Sequence, residues 1–401
     1  MNLKQADLPE PSADARAASE ALTRIIAAEI AACGGWMSFA RYMELALYAP
    51  GLGYYSGGSH KFGDYHEGGD FLTAPELTPL YGRALARQVA PVLAASSPVV
   101  MEAGAGSGKL AADLLLALDA LGCAPERYRI LELSGELRAR QQATLAERAP
   151  QFANRVEWLD ELPEKFSGCL VGNEVLDAMP THALRWGDEA EGGIVERGVG
   201  LDDGRLVVAE RPATGALLAA AQTISVIAPY RGEISLAARA WVSELARRLE
   251  KGAMLLIDYG LPRHELYHPL RDGGTLRCHY RHRVHEDAFW FPGLSDITSH
   301  VDFTAVAEAG FDAGLEVLGY ISQANFLINC GIGELLMGSK VGAGDTAGAD
   351  DAGLADLRAR GAVNVLISPN EMGELFKVIA LGRGIPGPLP GFARGDRVHT
   401  L

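Results

Sequence analysis

One stretch, Val99–Leu110, limits what this chain can fold into more than any other: V-V-M-E-A-G-A-G-S-G-K-L. Pro98 to Met101 form a short apolar run of the kind buried in a parallel sheet. Glu102 follows, then glycine at every second position, Gly104, Gly106 and Gly108. Leu110, Leu114, Leu115, Leu118 and Leu121 then recur at helical spacing. Strand, glycine turn and helix open a βαβ nucleotide-binding unit. Glycine is required because the chain reverses tightly and its backbone must approach a ligand closely. The helix start offers unpaired N–H groups. Two phosphate-binding patterns fail here. A P-loop needs glycine where Ala103 stands and Ser or Thr where Leu110 stands. The G-x-G-x-x-G fingerprint needs its third glycine at the position of Lys109. Lys109 therefore reads as a solvent-facing first-turn residue.

At 401 residues the chain exceeds one small core, and a main domain with elaborations is expected. Apolar content of 48% with 22% charged residues is that of a soluble globular protein. With 36 basic against 51 acidic residues, the formal charge of -15 excludes non-specific nucleic-acid binding, which needs a positive surface. Cys33, Cys123, Cys169, Cys278 and Cys330 are odd in number and include no C-x-x-C pair, so neither a zinc site nor a disulfide framework is indicated. No apolar run is long enough to span a membrane. The N-terminus, M-N-L-K-Q-A-D-L-P-E, reads neither as a secretory signal nor as a transit peptide, so a cytoplasmic, reducing location is expected. His279, His282 and His285 recur at every third position without acids or cysteines at ligand spacing. They read as a solvated basic segment, and no metal is expected.

Along the chain, helices are predicted over 14–32 with Asp14 as N-cap, 38–48, 77–95, 134–147 with Ser134 as N-cap, 236–250 and 324–336. Strands follow at 128–133, 156–159, 168–173 and 253–257, and a last antiparallel pair at 314–320 and 375–381. Residues 181–235 break the α/β alternation with short alternating strands and read as a β-rich insertion. Thr304 reads as a helix N-cap, and the Gly/Ala/Asp-rich run 338–354 as a mobile loop. The expected organisation is an N-terminal helical cap and lid loop (1–96), the first half of a nucleotide-binding core (97–180), the insertion (181–235), the second half of the core (236–385) and a tail (386–401).

Glu132 stands at the end of the second strand, 28 residues after Gly104. An acid there lies over the switch point of such a sheet and is placed to bond both ribose hydroxyls, unless it is a plain loop acid. Asn173 and Glu174 end the fourth strand, and Asp258 ends the fifth, again at the crevice edge.

E-x-G-x-G-x-G at 102–108 resembles motif I of class I S-adenosylmethionine (SAM) methyltransferases. The resemblance implies that Glu102 helps hold the methionyl end of SAM, that the glycines pass beneath it, and that Leu159 and Asp160 edge the adenine. Trp158 reads as core packing. The run Asn173-Glu174-Val175-Leu176 departs from the Asn/Asp-Pro-Pro-Tyr/Phe tetrapeptide of nucleobase amino-methyltransferases, so that substrate class is set aside. Y-x-P-x-x-G-Y-Y at 48–55, G-D-F-x-T-x-P-E at 69–76, the glycine motif and G-N-E-V-L-D-A-M-P at 172–180 occur in that order, and together they resemble the MidA-like family. Mitochondrial members of that family methylate an arginine of a respiratory complex I subunit during assembly.

The resemblance implies an α/β fold, a Rossmann-like and mostly parallel sheet with a helical cap and inserted segments. It implies SAM as cofactor and a protein arginine as acceptor. A guanidinium stays charged at neutral pH and is matched by carboxylates. Glu174 and Glu76 rank first as candidate catalytic acids, ahead of Asp177, Asp258 and Asp302. The glycine-punctuated loop 48–76 reads as a lid and acceptor site through Tyr54, Tyr55, Asp70, Phe71, Thr73 and Pro75. A small-molecule methyltransferase, a non-catalytic SAM-binding assembly factor and an NAD enzyme are the competing readings, and the oligomeric state stays open.

Overall fold

In the computed structural model, which describes residues 8–57, 73–188, 193–338 and 349–401, the chain forms two compact units, each assembled from separate stretches. One unit comprises Leu72–Val175, Val242–Gly260 and Ala307–Leu401. The other comprises Met1–Phe71, Leu176–Trp241 and Leu261–Val306.

The first unit is built on a sheet whose strands, numbered along the chain, are β1 (Val99–Ala103), β2 (Arg127–Leu131), β3 (Val156–Leu159), β4 (Phe166–Asn173), β5 (Leu249–Leu261), β6 (Glu316–Ser322) and β7 (Phe376–Arg383). Their order across the sheet is β6-β7-β5-β4-β1-β2-β3. β1 runs parallel to β2 and β4, and β4 parallel to β5, while β7 is antiparallel to both its neighbours. The fold is thus α/β with a mainly parallel sheet, and the order reverses between β1 and β4. That reversal opens a crevice at the carboxyl ends of those two strands. β1 and β4 are buried almost throughout, as strands covered on both faces must be. A Cβ on Gly168 would lie 2.1 Å from the Val99 carbonyl oxygen, so β4 can seat against β1 only through a bare backbone there.

Helix Pro79–Ala95, assigned from sequence to the N-terminal segment, packs in this unit, with Leu85, Val89 and Val92 buried in the same core as Leu114, Leu118 and Tyr128. The helix predicted over 77–95 is two helices, Ala74–Leu77 and Pro79–Ala95. Pro79 has no N–H and forces Thr78 into an extended conformation, where its hydroxyl caps the second helix at Leu80. The helix predicted over 324–336 is likewise divided, Gln323–Asn329 and Ile332–Gly338, with Gly331 at φ +75° between them. Of the run read as a mobile loop, 339–348 lie outside the described residues, and a helix begins at Ala349.

The second unit contains the helices Ala13–Ala32 and Phe39–Tyr48, each capped by a serine, Ser12 and Ser38. Ser12, not Asp14, is the cap, because its hydroxyl reaches the Ala15 N–H. The strands expected in 181–235 form a four-stranded antiparallel sheet: Arg205–Pro212, Ile194–Asp202, His182–Trp186 and Tyr230–Ile234 in spatial order. A second, three-stranded sheet pairs Arg277–Tyr280 with Arg283–His285 and Asp296–Thr298. The histidine triplet falls on this hairpin, so its spacing of three has no helical meaning. His285 is buried against Ser295 (Nε2 to Oγ 3.0 Å) and His279 is held to a pKa of about 4, chiefly by burial, so this segment is not simply solvated. Asp302, not Thr304, caps the helix that starts at Phe303, accepting from Ala305 N–H at 2.9 Å, while the Thr304 hydroxyl accepts from Arg263 N–H. Among the described residues no helix is long and apolar enough to cross a membrane.

Candidate active site

The glycine turn leaves the end of β1 with Gly104, Gly106 and Gly108 at φ +67°, +51° and +84°. All three lie in the left-handed region that residues with a Cβ rarely adopt. Gly104 also lies under Val175, whose Cγ2 would be 3.3 Å from a Cβ there. Gly108 is the N-cap of helix Lys109–Ala120 and has no side chain with which to cap its N–H groups.

Two buried acids flank this turn. Glu102, inside β1, accepts a short hydrogen bond from the Tyr128 hydroxyl, and burial raises its pKa to about 7. The hydrogen bond from Tyr128 pulls in the opposite direction and Glu132 adds to the rise. Glu132, after β2, accepts from Ser134 N–H (2.9 Å) and from Gln141 Nε2 (3.1 Å), and burial is again the main cause of its raised pKa. Arg138 ties the ends of β2 and β3 together, donating to the carbonyls of Glu132 (2.6 Å) and Leu159 (2.7 Å). It also pairs with exposed Asp160 at 2.8 Å. Trp158 is half-buried and does more than pack, because its indole N–H donates to Gln141 Oε1 at 2.9 Å.

A third acid reaches the turn from the preceding helix. Glu76 accepts a short hydrogen bond from Ser107 and pairs with Lys109 Nζ at 3.1 Å, while the same ammonium donates to the Glu76 carbonyl at 2.8 Å. Lys109 therefore does not face solvent but fastens the turn to Glu76. Thr73 is the N-cap of that short helix and Pro75 is buried within it.

Across the reversal, β4 ends in Asn173 and Glu174. Glu174 has φ +54°, an uncommon and costly conformation for a residue with a Cβ, and its N–H donates to the Ile257 carbonyl of β5 at 2.8 Å. Tyr81, buried on the Pro79–Ala95 helix, donates to Asn173 Oδ1 (2.6 Å), and Asn173 Nδ2 donates to Glu174 Oε1 (3.0 Å). This relay orients the Glu174 carboxylate. Asp258, fully buried, accepts from Val175 N–H (3.1 Å) and Tyr259 N–H (2.9 Å).

A family profile described as "Putative S-adenosyl-L-methionine-dependent methyltransferase" matches residues 84–321. The chain belongs to this SAM-dependent methyltransferase family. A Burkholderia thailandensis protein crystallised with S-adenosyl-homocysteine is 54% identical, with a TM-score of 0.92 over 98% of this chain and all of that one. The protein arginine methyltransferase NDUFAF7, mitochondrial, of Danio rerio is 28% identical over 90% of this chain and 87% of its own. Its namesake from Mus musculus is 29% identical over 86% and 81%.

The residues of this methyltransferase fit its cofactor. The bare glycine turn admits a ligand against the backbone, buried Glu102 suits the methionyl ammonium, and Glu132 suits the ribose hydroxyls. Of the expected site residues, the sheet unit brings together Glu76, Glu102, Gly104, Gly106, Gly108, Glu132, Leu159, Asp160, Asn173, Glu174 and Asp258. Asp70 and Phe71 lie outside the described residues. The second unit holds Tyr54, Tyr55, Asp177 and Asp302. Tyr54 is buried in that unit's core, and Tyr55 donates to Asp296 Oδ1 at 2.9 Å. The buried Asp177 accepts at its carbonyl from Ser299 N–H at 3.1 Å. Asp302 pairs with Arg263 at 3.1 Å as well as capping its helix, a structural role.

Tyr81, Tyr128 and Gln141 were not legible as site residues. Gln141 alone carried a signal: it interrupts the inward stripe of Leu137 and Leu145 at four-residue spacing.

Proposed function

We propose that this methyltransferase transfers a methyl group to the guanidinium of an arginine in a partner protein. The observation that carries the reading is the pair of carboxylates, Glu174 just after β4 and Asp258 inside the neighbouring strand β5, beside the glycine turn. The names of the relatives support the same acceptor. SAM supplies an electrophilic sulfonium methyl, which the attacking nitrogen takes in line as S-adenosyl-homocysteine leaves. Glu174, oriented by Asn173 and Tyr81, grips two guanidinium N–H groups and aims the third nitrogen. Asp258, held by two backbone N–H groups, adds a second negative charge that keeps the cation in place, and the proton released by the methylated nitrogen passes to the Glu174 carboxylate and from there to water. Glu76 serves the glycine turn instead, because Ser107 and Lys109 already occupy its carboxylate. A respiratory complex I subunit is the partner we favour on the family resemblance, and the cytoplasm the compartment.

The test incubates the protein with methyl-labelled SAM and an extract from cells lacking its gene. Label should appear in a protein band and be recovered as methylarginine after acid hydrolysis. Label confined to small molecules, or to another side chain, overturns the reading.

A further inference from the structure

We infer that Gln141 is a positioning residue for the cofactor: it locks the Glu132 carboxylate to the glycine turn and so makes binding depend on the ribose hydroxyls. The inference rests on the reading of Glu132 as the ribose ligand.

Gln141 is fully buried on a helix, Gly135–Arg148, whose other buried residue is Leu145. A buried amide is costly unless every polar atom is paired. Here Trp158 Nε1 donates to Oε1 at 2.9 Å, and Nε2 donates to the Gly106 carbonyl at 3.2 Å and to Glu132 Oε2 at 3.1 Å. An indole can only donate, so it dictates which end of the amide is oxygen and turns the nitrogen toward Gly106 and Glu132. One side chain thus joins the turn after β1, the acid after β2 and the aromatic residue of β3.

The carboxylate keeps one acceptor direction free. Glu132 Oε1 receives Ser134 N–H, Oε2 receives Gln141, and the Leu133 N–H also reaches the carboxylate. Two oxygens accept about four hydrogen bonds in all, so one direction stays open for a ribose hydroxyl. The backbone of Glu132 is held separately, by Arg138 at its carbonyl. Removing the Gln141 amide therefore leaves the carboxylate to its backbone donors alone, without releasing the strand end. A Cβ on Gly108 would lie 3.0 Å from Gln141 Cα, so the helix backbone seats directly on the turn and leaves little slack.

The experiment measures dissociation constants of S-adenosyl-homocysteine and its 2′-deoxy analogue for the wild type, Glu132→Ala, Gln141→Leu and Gln141→Glu. The wild type should prefer the ribose form about tenfold, the scale of one hydrogen bond to a charged group, and Glu132→Ala should lose that preference. Gln141→Leu should lose most of it as well, with affinity for the deoxy analogue changed by less than about twofold. A Gln141→Leu protein that weakens both ligands equally, or keeps the preference that Glu132→Ala loses, overturns the inference. A wild type without preference overturns the ribose reading of Glu132 and the inference with it. Gln141→Glu keeps the volume and the acceptor for Trp158 but sets a carboxyl against Glu132. Its preference should be absent near pH 8 and return toward pH 6, as one proton comes to be shared between the two groups. A preference independent of pH in that variant also overturns the inference, even if Gln141→Leu does not fold.

Discussion

The two halves of the crevice hold their carboxylates differently, although backbone N–H groups reach both Glu132 and Asp258. At the ends of β1 and β2, Glu102 and Glu132 are buried side chains on ordinary backbone, and burial raises the pKa of both. After β4 and within β5 the backbone itself sets the direction of the acids, since Glu174 sits at φ +54° and Asp258 is gripped by two backbone N–H groups. On the proposed reading, the cofactor half binds its ligand through an ammonium and hydroxyls, and the acceptor half holds a guanidinium that arrives on another molecule, relying on a preset direction for its carboxylates. Binding and transfer should therefore respond separately to substitutions in the two halves.

The harshest test falls on the turn between them. Gly106→Val places a β-branched residue at φ +51° and should weaken SAM by more than about a hundredfold while far-UV circular dichroism stays native. A folded variant with unchanged affinity removes the turn from the cofactor site. Next, Glu174→Gln should cut the transfer rate at saturating SAM by about tenfold to a hundredfold, with SAM affinity within about twofold. Loss of affinity without loss of rate would erase the distinction between the halves.

Glu102→Gln should weaken SAM by about tenfold near pH 7.5 and flatten its pH dependence. In the wild type, affinity should rise as Glu102 ionises through about pH 7. It should fall again above roughly pH 8, where the α-amino group of the ligand loses its proton. The unliganded protein follows the reverse trend. Between the ordinary 4.5 and about 7 the folded protein keeps a proton that the unfolded chain has lost, so stability should decline as pH rises through that window. Calorimetric melting across the range, with and without S-adenosyl-homocysteine, reads both trends, and a decline that persists in Glu102→Gln assigns it to another group. The smallest effect is expected for Glu76→Gln, a few-fold loss of SAM affinity through a loosened turn, with the rate at saturation unchanged. A selective fall in that rate would return Glu76 to the acceptor half.

The succession of core elements along the chain and the positions of the acids were legible because they follow from local pattern. A buried apolar run, a glycine turn and a leucine stripe specify strand, reversal and helix within 23 residues, Val99–Leu121. An acid just beyond the carboxyl end of a central parallel strand lies at the crevice edge. The roles of Glu76 and Lys109 were not legible, since their partnership joins a helix before β1 to a helix after it. Nor was the burial of Tyr54, whose aromatic neighbourhood reads equally well as core or as lid.

The sequence by itself determined the cofactor turn, the α/β class and the acids at strand ends, because each depends on residues close together along the chain. The tertiary structure alone decided which partners each carboxylate meets. Tyr81 reaches Asn173 across 92 positions and Tyr128 reaches Glu102 across 26. Such contacts arise only when the sheet has ordered its strands and the helices have packed on it, because burial and partner choice, not residue type, set what each carboxylate does.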